Sequence, residues 1–330
     1  MHDTMISSAT AVDRWVGETF REWVALDAPG VPLPGGGRTW DRFGVLADMA
    51  KRDLALGRLA EGHADAVAIL ADAGTAPVAS GPYGVWAARS RDGDLVASAT
   101  ASGWRIDGVK QFCSGVGLLD RALVSADGPD GPRLFDVDVR RAALEVCADS
   151  WPAVGMAASA SASVVFHSVP AAARCAVGDP GFYTERVGFW WGAAGVAACW
   201  WGGARALIDT VASYLDPGGS GAHELAAFGE AVAQQRSMTE TMRWAASEID
   251  GVQNDVEHAR RVALVAREVV HRGCGSILAA VAAAGGARPI CMDAAQSRRS
   301  ADLYAYLSQH HGGRDAAALG KASLTTQEIS

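Results

Sequence analysis

Cysteine is scarce and scattered in this chain: Cys113, Cys147, Cys175, Cys199, Cys274 and Cys291 stand far apart, with no C-x-x-C pair. That spacing excludes a dense disulfide framework and fits a reduced, cytoplasmic protein in which most cysteines are small core residues. Blocks of Lys and Arg are missing too. Only the pairs Arg140-Arg141, Arg260-Arg261 and Arg298-Arg299 come close, in a chain with 29 basic and 37 acidic residues and a net charge of −8. No electrostatic footprint for nucleic acid is present. No P-loop, no G-x-S-x-G and no G-x-G-x-x-G after a strand occurs. The first residues, MHDTMISSATAVDRW, are acidic and lack an apolar core, so they do not read as a signal peptide.

One stretch is apolar enough to raise a membrane: VGFWWGAAGVAACWWGGA, 187 to 204, carries no charge and lies at the lower length limit for a span. It is rich in Ala and Gly rather than Leu and Ile, and it has no basic flank and no second span. It therefore reads as a buried helix of a bundle or subunit interface. Trp190 and Trp201 fall on one face of it.

What is present is enough apolar sequence, 49% of 330 residues, for two or three packed layers. The pattern gives an α+β chain in three parts: a helical N-terminal part (1–80), a small antiparallel β-domain (81–180) and a C-terminal four-helix bundle (181–330). In the first, Asp13 is positioned to cap a helix over 14–26, and an amphipathic run covers 39–71 after a Pro/Gly-rich loop. In the second, YGVWAARS, DLVASAT, GWRID, VKQFCS, RALVSA, RLFDVDV, ALEVCA and ASVVFHSV alternate as strands. Turn signals stand at Asp92-Gly93, Asp107-Gly108 and GPDGP. Asp107-Gly108 between two alternating runs predicts a two-residue hairpin. In the third, helices are expected at 187–214, 222–250, 253–284 and 293–308, with PGGSG at 217–221 as a break.

Titratable residues give few local signals. His63 with Glu61 and Asp65 lacks metal-ligand geometry and reads as helix surface. His258 and His271, thirteen residues apart, point to opposite faces of one helix.

Four ordered blocks resemble the acyl-CoA dehydrogenase superfamily of flavoproteins: GWRIDGVKQFCSG, WPAVGMAASASASVVFHSVP, GDPGFYTERVGFWWGAAGVAA and RRSADLYAYLSQHHGGRDAAALGK. RDLALGRLAEGHADAVAIL also resembles the N-terminal helices of a shorter branch. The resemblance implies a homodimeric or homotetrameric FAD oxidoreductase of fatty-acid metabolism. Its reaction would be α,β-dehydrogenation of an acyl thioester, with hydride passing to the flavin and an electron acceptor the sequence leaves open. It implies flavin contacts from Phe112 (aromatic), Cys113 (backbone) and Ser114 (hydroxyl), and backbone contacts from Val85 and Trp86, although the acidic Gly/Ser stretch usual after that strand is largely missing. It also implies approach of Gly285-Gly286 to the flavin of a neighbouring subunit; a helix C-cap explains the same pair.

The thioester reaction needs a base, which the superfamily supplies from the loop between the last two bundle helices or from the first bundle helix. In the loop, SQHHGGRDAAALGK, no Glu is found, and His310, His311 or Gly313 takes the position. At the other site Glu185 is available, though a carboxylate beside a helix N-terminus is favoured for other reasons. Some relatives on the fold that use reduced flavin and O₂ carry a His rather than Glu in this loop, so His311 opens a flavin-dependent monooxygenase reading. A non-catalytic paralogue is the third reading.

Overall fold

The computed structural model describes residues 2–26, 30–78, 80–90, 94–252 and 254–326, with the backbone alone for 2–10 and 325–326. The Asp92-Gly93 turn lies outside the described residues. The chain divides into two compact units, one of Met1–Val31, Arg58–Ala153 and Ala157–Phe189, the other of Pro32–Gly57, Val154–Met156 and Trp190–Ser330.

The first unit holds α1 (His2–Ala25), most of α3 (Leu54–Asp72), α4 (Phe182–Glu185) and the whole sheet. Its strands are β1 (Tyr83–Trp86), β2 (Val96–Thr100), β3 (Gly103–Cys113), β4 (Arg121–Gly128), β5 (Gly131–Asp138), β6 (Leu144–Cys147), β7 (Ala162–Ala172) and β8 (Ala176–Val177). They run in the order β6-β7-β3-β2-β4-β5-β8, with β1 added parallel to β4. Pairing is otherwise antiparallel, apart from one parallel bridge between β2 and β4.

Two expectations fail here. Asp13 does not begin a helix, because α1 already runs from His2. Asp107-Gly108 is not a hairpin either: GWRID and VKQFCS form one strand, β3, and the reversal comes at Ala101-Ser102, between Thr100 and its partner Gly103. The Asp107 carboxylate instead accepts hydrogen bonds from the Ser168 amide (2.7 Å) and hydroxyl (2.8 Å) on β7. Gly108, at φ +123°, makes a bulge in the pairing with β7, and a Cβ there would come within 2.8 Å of the Asp94 carbonyl oxygen. Asp-Gly thus serves close approach inside a strand rather than a turn.

Lys110 points into the sheet interior with no exposed side-chain surface. Its ammonium lies 2.5 Å from Asp94 Oδ1 and donates to Ser125 Oγ at 2.8 Å. Burial lowers its pKa against these bonds. In the run E-G-H-x-D, Glu61 is buried and His63 and Asp65 are half-buried, correcting its reading as surface. Glu61 is 2% exposed and pairs with Arg58. The His63 Nδ1 accepts from the Tyr83 amide at 3.1 Å between the rings of Phe20 and Trp23. Desolvation pushes Glu61 up to about 7 and His63 down to about 4.

The second unit contains α2 (Thr39–Arg52), the start of α3, α5 (Val187–Ala212) from Trp190 on, α6 (Ala222–Gly251), α7 (Val256–Gly285), α8 (Ala287–Met292), α9 (Ala294–Leu307) and α10 (Gly312–Thr326). The periodic run 39–71 breaks at Asp53, whose carboxylate caps α3 by accepting from the Ala55 and Leu56 amides (2.9 and 3.2 Å). Asp255 and Asp293 cap α7 and α9 in the same way. The apolar stretch is the buried helix α5, with Trp200 and Trp201 in the core. Among the described residues no helix is long and apolar enough to cross a membrane.

Within this unit Gly155-Met156 lies against α9. The Met156 amide donates to Asp302 at 2.6 Å, and a Cβ on Gly155 would meet the Ala301 carbonyl oxygen at 2.3 Å. Burial pushes Asp302 up to about 6.

Gly155→Ala overpacks a backbone contact and is expected to cost about 1–3 kcal/mol in urea unfolding; Gly229→Ala in mid-α6, with open space around it, is expected to gain up to about 1 kcal/mol. Because the Glu61 pKa is raised in the fold, its contribution to stability is complete below pH 4.5 and is lost as pH rises through 7. Unfolding free energies at pH 5 and pH 8 are therefore expected to differ by up to about 3 kcal/mol through this group, and Glu61→Gln to flatten that slope.

Candidate functional site

The sheet unit brings Val85, Trp86, Phe112, Cys113 and Ser114 to neighbouring strand ends. Phe112 sits at φ +59°, a costly conformation for a bulky residue. Its ring is 56% exposed, touching Trp151 edge-on at 6.5 Å, so core packing does not explain the strain. The pairing of β3 with β7 shifts register between Lys110 and Cys113. Cys113 consequently turns inward: its thiol is buried against the Lys110 carbonyl oxygen at 3.3 Å, and desolvation raises its pKa strongly. It offers backbone, not a nucleophile.

Ser114 is 7% exposed, and its carbonyl accepts from the Trp86 indole at 2.8 Å. Its hydroxyl makes no hydrogen bond among the described residues. That indole bond ties the end of β1 to the end of β3, while Val85 packs on the core around Tyr83 and Leu123. Beyond Ser114, the amides of Gly115 and Val116 donate to the carbonyls of Ser159 and Ala160 (2.8 and 3.0 Å), joining the segment to the GMAASAS block. A cavity of about 600 Å³ opens beside Trp86, walled by Leu119, Leu144, Val146 and Val164, with Arg21 at its edge.

In the helical unit, neighbouring residues between α9 and α10 take opposite destinations. His311 is exposed, and its carbonyl accepts from the Arg314 and Asp315 amides at the start of α10 (2.9 and 3.0 Å). The His310 imidazole is wholly buried, with Nε2 at 3.0 Å from Glu268 Oε2. Its ring lies 4.5 Å from that of His271 and 5.9 Å from that of Trp200. The hydrogen bond from His310, then Arg272, lowers the pKa of Glu268; burial, then His310, lowers that of His271.

Glu185 ends the four-residue helix α4 with its side chain exposed; it does not occupy an apolar pocket of the kind that readies a carboxyl as a base. Gly285 closes α7, and Gly286, at φ +60° and ψ −150°, adopts a conformation open essentially to glycine alone. A Cβ on Gly285 would strike Pro289 at 2.4 Å. The α7–α8 corner requires both glycines, as the C-cap reading holds.

Glu268 and the Trp86 indole are polar partners that the sequence reading did not single out. For Glu268 a signal existed: Glu268 and His271 stand at i and i+3 on α7, hence on one face.

No protein-family model and no curated protein sequence matches the chain. Solved structures do. TdsC from Paenibacillus sp. A11-2, determined with FMN and indole and described as a dibenzothiophene monooxygenase, is 20% identical with TM-score 0.78, covering 97% of each chain. KijD3, solved with FMN and a dTDP-sugar, is 18% identical with TM-score 0.78, covering 99% of this chain and 93% of its own. A glutaryl-CoA dehydrogenase from Mycobacterium smegmatis, in complex with FADH2, is 13% identical with TM-score 0.77, covering 98% and 94%. At these identities the likeness is one of fold, and it agrees with the helix, sheet, helix order of the four sequence blocks: the chain has the acyl-CoA dehydrogenase fold.

Proposed function

We propose that this chain is a flavin-dependent oxidoreductase, and specifically a monooxygenase that uses reduced flavin and O₂. The observation that carries the reading is the segment between α9 and α10. Where the resemblance places the base of a thioester dehydrogenase, this segment presents the exposed imidazole of His311, and the alternative carboxylate, Glu185, is exposed on α4.

The end of β3 fits a flavin. Phe112 offers an exposed aromatic face on a strained backbone, and Ser114 offers a hydroxyl with no other bond among the described residues. A bound flavin would supply the redox chemistry. Phe112 would flank such a ring, Ser114 would donate to its polar edge, and the backbone at Val85 and Trp86 would complete that edge. The imidazole of His311 is the side-chain type suited to take a proton from a substrate hydroxyl, or to return one, near neutral pH. That TdsC and KijD3 were solved with FMN, and TdsC is described as a monooxygenase, supports this choice over dehydrogenation. FAD remains the nucleotide implied by the sequence resemblance.

Supplied with reduced FMN or FAD, the protein is expected to consume O₂ and to transfer oxygen to a substrate from a panel of phenols and aromatic heterocycles. It is expected to oxidise no acyl-CoA with an artificial acceptor. His311→Ala is expected to lower kcat about a hundredfold. Acyl-CoA oxidation without oxygen transfer would replace this reading with the dehydrogenase.

A further inference from the structure

Adjacent histidines with opposite burial need a reason for the buried one. A histidine at the junction of two helices has no hydrophobic demand to enter a core, and its ring nitrogens carry a desolvation cost unless they are bonded. His310 nonetheless reaches in from the α9–α10 segment with no exposed imidazole surface. It meets side chains from three helices: Trp200 of α5, Glu268 and His271 of α7 and Asp315 of α10.

Its two nitrogens face two carboxylates. Nε2 donates to Glu268 Oε2 at 3.0 Å. Nδ1, buried and without a hydrogen-bond partner, faces Asp315 Oδ2 at 3.6 Å. Each carboxylate is also met by an arginine, Glu268 by Arg272 and Asp315 by Arg314 at 3.8 Å. The ring thus spans α7 and α10 from the middle of the junction. The backbone around it is one continuous set of turns: the His310 amide donates to the Leu307 carbonyl (3.0 Å), and the next carbonyl, that of His311, starts α10.

We propose that His310, held by Glu268, is a positioning residue: it anchors the α9–α10 segment and so fixes where the adjacent His311 is presented. The inference rests on the reading of His311 as the proton-handling group. Glu268 acts through His310, and neither residue touches the reacting atoms.

The test uses the full-length protein and its His310→Ala, His310→Gln, Glu268→Gln and His311→Ala variants. Amide hydrogen exchange is followed over 308–315 and over α5 and α7, and kcat and KM are measured for the oxygenation. His310→Ala is expected to speed exchange over 308–315 about tenfold, consistent with loss of one buried hydrogen bond, with α5 and α7 unchanged. It is expected to lower kcat with KM and flavin affinity nearly unchanged. His310→Gln, whose amide can still donate to Glu268, is expected to restore part of both effects, and Glu268→Gln to weaken both.

Unchanged exchange over 308–315 in His310→Ala overturns the proposal. So does faster exchange spread equally through α5 and α7 with no recovery in His310→Gln, which would make His310 an ordinary core residue. Local release in His310→Ala together with full turnover in His311→Ala would uphold the anchor while removing the assigned role of His311. Loss of turnover in His311→Ala with no release in His310→Ala would do the reverse.

Discussion

A lysine ammonium with no solvent around it governs the sheet unit. Lys110 is satisfied only where Asp94, on the approach to β2, and Ser125, on β4, converge on it. An unpaired ammonium at that depth would be strongly disfavoured, so at this point β3 is tied to the approach of β2 through Asp94 and, beyond β2, to Ser125 of β4. Phe112, Cys113 and Ser114 follow within four residues. The shift in pairing with β7 then turns Cys113 inward and Phe112 outward, and the Trp86 indole holds the Ser114 carbonyl. The proposed flavin edge is thus the downstream end of a strand pinned by a buried charge.

The helical unit follows the same logic with weaker charges. Two of its carboxylates are each held from a distant segment and from their own helix: Asp302 by the Met156 amide and by Arg298, Glu268 by His310 and by Arg272. The Met156–Asp302 and Glu268–His310 pairings join segments far apart in sequence. They hold the Gly155-Met156 segment against α9 and fix the turn before α10. Where the resemblance would lead one to expect a desolvated carboxyl base, the turn carries a buried anchor and an exposed imidazole.

Much of the architecture was legible in the sequence, because alternation and helical periodicity report burial directly. All four helices expected after residue 187 form, and every strand candidate contains or overlaps a strand. What the sequence misled on was local punctuation serving distant partners. Asp107-Gly108 has turn chemistry, yet the carboxylate is used by Ser168, 61 residues away, and the glycine lets β3 pass the Asp94 backbone. Asp13 has capping chemistry inside a helix that starts earlier. In the site, Phe112 to Ser114 could be singled out only through the ordered blocks. Their physical signature, a left-handed backbone under an exposed ring, exists only in three dimensions. The division of labour between His310 and His311 was equally hidden, since it depends on Glu268, 42 residues away on another helix.

The central claim is that the end of β3 is a flavin edge. Fluorescence titration of the protein with FMN and with FAD, repeated on Phe112→Ala, tests it most directly. The account predicts saturable binding of at least one of the two flavins, weakened about tenfold or more when the aromatic face is removed, with far-ultraviolet circular dichroism unchanged. No binding of either flavin by the folded protein, or equal affinity in Phe112→Ala, would contradict it.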